Sequence, residues 1–150
     1  MRAIIQRVSE AKVTVNGEIT GAIKTGFLVL LGIEHNDTEA DADWLVKKIV
    51  NMRIFKDAED KMNLNLLTAE GKLLIVSQFT LHALTKKGNR PSFITAAKPN
   101  VAIPLYQYFL NVCETLTNEK PQTGIFGATM QVSLCNNGPV TIFIDSKNKA

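Results

Sequence analysis

This chain has little of what conventional catalysis is built from. It has two histidines, His35 and His82, and two cysteines, Cys113 and Cys135. The cysteines stand far apart with no CxxC or Cys/His spacing, which excludes a four-ligand zinc site. They are expected to be reduced thiols packed as small hydrophobes. No GxSxG elbow, HExxH pair or phosphate-binding glycine loop occurs. A hydrolytic triad or a metallohydrolase is therefore a poor fit. No apolar run reaches the roughly 18–20 residues of a membrane span. The opening MRAIIQRVSE carries charges where a signal peptide is apolar. The expected location is the cytosol.

What is present describes one ordinary globular domain. At 150 residues and 45% hydrophobic content the chain can bury one core but hardly two. Residues 1–145 are expected to form that domain, with 146–150 a polar, frayed tail. The net charge of +3 is compatible with an anionic partner without demanding one.

Residues 3–15 alternate loosely and meet Asn16-Gly17, a strong hairpin signal because both residues tolerate positive φ. Residues 26–33 form a near-continuous apolar run between glycines, expected to be a strand buried on both faces. Asn36-Asp37-Thr38 can cap a helix whose first turns carry Glu39, Asp41 and Asp43, and which ends near Val50 or Asn51. Short strands are expected at 52–55, 73–79, 124–126, 130–135 and 140–144, with 56–63 a loop and 65–67 a brief strand or turn. A second helix lies within 100–117, its regular part expected to start at Pro104. Trp44 and Phe109 read as core. Strands thus outnumber helices about eight to two, without one-for-one alternation. The expected fold is α/β in the broad sense, of α+β type. It has a compact, curved, mostly antiparallel sheet or β-barrel-like core with two main helices packed outside.

The chemistry centres on LLIVSQFTLHA, residues 73–83. Two hydroxyls and an amide, from Ser77, Gln78 and Thr80, follow a buried apolar run. On a continued strand Gln78 and Thr80 share a face with Phe79 opposite, and His82 follows Thr80 rather than Ser77. His82 is thus the only nearby base and is poorly placed for Ser77; His35 reads as a surface or capping residue. If the strand ends here, the N–H groups of Phe79 and Thr80 are free to receive a carbonyl oxygen. Such donors stabilise a developing oxyanion by about 3–4 kcal/mol. A second cluster, NNGPVT at 136–141, reads as a turn whose Gly-Pro presents two carbonyls on a tip with little side chain.

SQFTL together with NNGPVT resembles the D-aminoacyl-tRNA deacylase family, also called D-tyrosyl-tRNA deacylases. MRAIIQRV, GNRPSF (88–93) and FGATM (126–130) resemble it too, and the resemblance runs from residue 1 to about 145. It implies a cytosolic homodimer of compact barrel-like fold, with active sites at the interface and neither metal nor cofactor. The implied substrate is the ester of a D-amino acid with the 3′-terminal adenosine of tRNA. The implied Gly138-Pro139 bond is cis and reaches into the partner's site, where its carbonyls collide with an L side chain and spare a D one. Glycine on tRNA is then poorly excluded. The resemblance makes Arg7 the brace of this tip and Phe79 N–H the oxyanion donor. The tRNA 2′-hydroxyl assists attack, Ser77 and Gln78 shape the pocket, and Thr80 is the weaker candidate for nucleophile. Leu81, Phe93, Met130, Val140 and Thr141 are implied to contact substrate.

Lys86, Lys87, Arg90 and Lys98 have two readings, an ordinary solvated face or a contact with phosphates near the acceptor end. Phe79 and Phe93 can contact adenine, though core packing is the default for each. Two other readings stand beside this one. They are a related editing deacylase with relaxed chirality, and a non-catalytic RNA- or nucleotide-binding module.

Overall fold

The structure is a computed structural model that describes residues Met1–Ala150. Strand β1 (Arg2–Val15) turns at Asn16-Gly17, both at positive φ, into β2 (Glu18–Ile23). The chain continues as β3 (Gly26–Gly32), which pairs antiparallel with the first half of β1. Helix α1 (Glu39–Asn51) then carries the chain across. After a small antiparallel pair, β4 (Phe55–Lys56) and β5 (Met62–Leu64), strand β6 (Lys72–Ser77) runs parallel to β3. Helix α2 (Pro99–Thr117) makes the second crossing, to β7 (Gln122–Thr123), which is parallel to β6. Strand β8 (Gln131–Asp145) returns along the whole free edge of β1.

The sheet is therefore mixed, with antiparallel pairs in the majority. The parallel pairs occur where a helix returns the chain to its starting end. The β2 and β7 ends meet through Gln122 Oε1, which accepts from the Ala22 N–H at 3.3 Å, and Thr20 Oγ1, which donates to the Thr123 carbonyl at 3.4 Å. The sheet is thereby almost closed into a barrel with two helices outside, and neither is long and apolar enough to cross a membrane.

Alternation divides the core. Ala3, Ile5, Phe27, Val29, Leu31, Leu73 and Ile75 face the helices and meet Leu45, Val46 and Ile49 of α1 and Leu105 and Phe109 of α2. Val8, Ala11, Val13, Leu28, Leu74 and Val76 point to the other side. β3 and β6 are thus apolar on both faces, as a strand with buried neighbours requires.

Several expectations are corrected. Residues 52–54 lie outside any strand, β5 occupies part of the expected loop, and β7 precedes 124–126. α2 begins at Pro99, not Pro104, because a first-turn proline has no N–H to lose. Pro104 sits on the exposed side of α2, where water serves the carbonyl it leaves unpaired. Trp44 packs against the core but is only half-buried, beneath Lys149, whose Nζ lies 4.6 Å from the ring centroid. Cys113 is buried, and burial pushes its thiol up to about 12, but Cys135 is exposed on β8.

The tail is also anchored where it leaves β8. Ser146 is buried and donates to Asp41 Oδ1 at 2.7 Å, and Lys147 Nζ reaches Asp41 Oδ2 at 2.8 Å. Asp41 also accepts from the Thr38 N–H at 2.9 Å, completing the start of α1. Burial raises the Asp41 pKa, but bonds from Lys147, Ser146 and Thr38 outweigh it and hold the carboxyl well below its usual range. A depressed folded-state pKa contributes stability above the unfolded value, lost as pH falls below about 4. Asp41→Asn is expected to unfold a few degrees lower at pH 7, a loss of about 1 kcal/mol, the size of a lost cap. Its thermal midpoint should then fall less steeply than the wild type's between pH 5 and pH 2, as read by circular dichroism. Parallel curves would remove Asp41 from the acid response.

Candidate active site

The ladder of β6 ends at Ser77, and the Gln78 N–H makes one more bond, to the Leu31 carbonyl at 2.7 Å. Gln78 then leaves the extended region, with φ −145 and ψ 79. Phe79–His82 wind into a single 3-10 turn, closed by Leu81 N–H to Gln78 O at 3.2 Å and Ala83 N–H to Thr80 O at 3.1 Å. The expected strand through Phe79 is thus cut short, and strand alternation does not govern this segment. The N–H groups of Phe79 and Thr80 open the turn and have no partner within it.

Gln78 and Thr80 still meet, because the Gln78 amide donates to Thr80 Oγ1. Phe79 is 57% exposed, against the expectation of core packing, and stands edge-to-face with half-buried Phe93 at 5.1 Å. Ser77, Gln78 and Phe79 wall a cavity of about 270 Å³ closed by Ala97, Phe126 and Met130 among others. None of its lining side chains is ionisable. His82 is buried behind the turn, with Nδ1 3.7 Å from Glu34 and Nε2 without a partner, so it hydrogen-bonds neither Ser77 nor Thr80. Leu81 does not line the cavity. Its carbonyl accepts from Arg2 Nη1 at 2.9 Å, and Arg2 Nε is bound to Asp145 at 3.0 Å.

NNGPVT is not a turn between two strands. Both flanks pair with β1: Thr141 lies opposite Gln6 and Asn136 opposite Val8, so residues 137–140 bulge out against Arg7 alone. Arg7 is 4% exposed, not a surface cation. Its Nε donates to the Asn137 carbonyl at 2.9 Å and its Nη1 to the Ile54 carbonyl at 2.6 Å. Asn136 ties the bulge to itself, accepting from Val140 N–H at 3.1 Å and donating to Thr141 Oγ1 at 2.9 Å. The Gly138-Pro139 bond is cis. Gly138 has φ +138, and a Cβ there would lie 2.8 Å from Val140 Cγ2 and 3.0 Å from Arg7 Nη2.

The sequence-predicted residues therefore fall into two places. Ser77, Gln78, Phe79 and Met130 line the cavity, Thr80 and Leu81 follow in the turn, and Phe93 packs on Phe79. Arg7, Gly138, Pro139, Val140 and Thr141 form the tip, beside Lys56, Asp60 and Met62. The two places share no lining residue. From Val132 at the cavity to Asn136, where the bulge begins, the strand covers about 13 Å at its usual rise. The supports Asn136, Ile54 and Arg2 were not singled out from the sequence. Asn136 had a local signal, an Asx residue ahead of Gly-Pro. The Ile54 and Leu81 carbonyls had none, because any residue type supplies one.

Chemically, the cavity offers hydrogen-bond donors and no base. It can hold a carbonyl oxygen as that oxygen gains charge, while the attacking group comes from outside the protein.

Known proteins share this architecture. A structure described as a probable eukaryotic D-amino acid tRNA deacylase superposes with TM-score 0.80 at 17% identity, over 95% of this chain and 97% of its own, which shows the fold. A structure described as c-Myc DNA Unwinding Element Binding Protein superposes with TM-score 0.91 at 41% identity, over 97% and 98%. Proteins named D-aminoacyl-tRNA deacylase from Flavobacterium psychrophilum, Bacteroides fragilis and Akkermansia muciniphila are 57%, 56% and 55% identical. Each of these alignments spans 99% of both chains. Together they define a class, hydrolases acting on ester bonds. The profile described as D-Tyr-tRNA(Tyr) deacylase matches residues 4–145, and the chain belongs to that family.

Proposed function

We propose that this chain hydrolyses the ester between a D-amino acid and the 3′-terminal adenosine of tRNA, in the cytosol and as a homodimer. One observation carries the reading: a cavity without ionisable side chains lies where β6 ends and the N–H groups of Phe79 and Thr80 open a turn. In this reading water attacks the ester carbonyl with help from the tRNA 2′-hydroxyl. The carbonyl oxygen gathers charge against Phe79 N–H, and the ribose 3′-oxygen leaves with a proton. Ser77 and Gln78 shape the pocket, Met130 borders the substrate, and Phe93 backs the Phe79 ring. Thr80 accepts a hydrogen bond from Gln78 and has no base beside it, which supports keeping it as the weaker candidate for nucleophile.

The tip formed by Gly138, Pro139, Val140 and Thr141 lines no part of its own cavity. We assign it to the cavity of a second subunit. There the carbonyls of Gly138 and Pro139 exclude an L side chain, while glycine, lacking one, is hydrolysed. The outer edge of β8, with exposed Leu134 and Phe143, supports such pairing.

The test is deacylation of D-Tyr-tRNA and L-Tyr-tRNA in parallel, with a metal chelator present. Loss of the D ester alone is the expected result. Loss of both favours relaxed chirality. The relative described as a DNA-element binder motivates a second reading, nucleic-acid binding without turnover. Tight tRNA binding with both esters intact would establish that instead.

A further inference from the structure

Between Glu70 and Glu114 the chain contains no Asp or Glu, but it contains Lys72, Lys86, Lys87, Arg90 and Lys98. The rest of the molecule is slightly acidic, so this one segment sets the net positive charge. Lys72 is paired with Glu119. The other four are exposed, and none makes an ion pair.

The base of the loop that carries three of them is tied to the fold. Leu84 and Ser92 exchange backbone hydrogen bonds of 2.8 and 3.0 Å, so residues 85–91 project as a hairpin loop carrying Lys86, Lys87 and Arg90. One arm of the hairpin leaves the 3-10 turn of the cavity wall. The other arm leads to Phe93, packed on Phe79, and to Thr95, whose hydroxyl donates to the His82 carbonyl at 3.2 Å. Lys98 follows Ala97, a cavity-lining residue, and caps α2, whose first turn holds no acid. The positive end of that helix adds to the same rim. Four unpaired cations on a frame fastened to the pocket mouth suit a chain of phosphates leading away from it.

Resting on the deacylase reading, we propose that Lys86, Lys87, Arg90 and Lys98 form a phosphate-binding rim. It holds the acceptor-end backbone of tRNA while the terminal adenosine enters the cavity. The recognised chemistry is the phosphodiester, not a base, so the rim adds affinity without sequence preference.

The test compares wild type with the quadruple variant K86Q/K87Q/R90Q/K98Q in two measurements. The first is equilibrium binding of deacylated tRNA across a salt series. Each phosphate contact contributes a log–log slope of about −0.7 to −0.9, so the wild-type slope should be steeper by about 3. Between 50 and 200 mM salt that difference is roughly a 60-fold extra loss of affinity for the wild type. The second is kcat/KM on D-Tyr-tRNA and on D-tyrosyl-adenosine, an ester with no phosphate. The variant's loss on tRNA should exceed its loss on the short ester at least tenfold. Equal slopes, or equal losses on both esters, would overturn the rim. If wild type hydrolyses neither ester, the deacylase reading fails while the salt slopes still decide the rim.

Discussion

Arg7→Ala is expected to lower the unfolding midpoint by about 10 °C and to remove most of the preference for D over L esters. The guanidinium is buried and has no carboxylate partner. Its charge is met by two backbone carbonyls, Ile54 and Asn137. Removing it strands both acceptors and opens a cavity, a combined loss of about 3–4 kcal/mol. In a domain of this size each kcal/mol moves the midpoint by about 2–4 °C. The functional loss has a separate origin. Asn137 precedes Gly138, so Arg7 fixes the tip from below while Asn136 fixes it from the side.

Arg7→Lys separates the two effects. It keeps the charge but has one nitrogen where two carbonyls in different directions need donors. Its midpoint should fall between wild type and Arg7→Ala, with D:L discrimination nearly as poor as in Arg7→Ala. Gly138→Ala should act in the same direction, since its Cβ would press on Val140 and on Arg7 itself. Initial rates on D-Tyr-tRNA and L-Tyr-tRNA measure the ratio. A wild-type ratio in Arg7→Lys would detach the tip from chiral selection.

What could be read from the sequence was local. Asn16-Gly17 announces its hairpin because few residues accept two successive positive φ angles. α1 is bounded by its own capping chemistry, and the run in β3 is apolar at every position because both faces are covered. What escaped reading depends on distant partners. Asn-Gly-Pro signals a turn, yet whether the chain reverses or bulges depends on β1, some 130 residues earlier, pairing with both flanks. Phe79 has strand propensity, but the ladder stops at Leu31 and the turn is held by Arg2 from behind. The resemblance alone marks Arg7, because arginine seldom goes inside and only the assembled carbonyls explain its burial. The polar tail looked free for the same reason, until Asp41 is placed beside Ser146.

Phe79→Pro should slow hydrolysis of D-Tyr-tRNA by about 100- to 1000-fold in kcat, the effect of deleting one oxyanion donor. Proline removes the N–H, fixes φ, and pushes Gln78 from its ψ of 79 towards about 120–160°. It suits the first residue of a helical turn, where no partner inside the turn is lost. The substitution also removes the ring that meets Phe93. Phe79→Ala controls for that loss, since it keeps the N–H and loses the ring. It should weaken KM by less than about tenfold, as expected for about 1 kcal/mol of aromatic contact. Thr80→Ala provides the opposite contrast, retaining the backbone donor and removing the hydroxyl, and should keep kcat within about fivefold of wild type. If Thr80→Ala instead abolishes turnover while Phe79→Pro is tolerated, both folded, the hydroxyl performs the chemistry. The backbone then only shapes the pocket. The hydrogen bonds favour the first outcome. A hydroxyl that accepts from Gln78 and sees no imidazole or carboxylate has nothing to take its proton. An N–H at the start of a turn has a bond still to make.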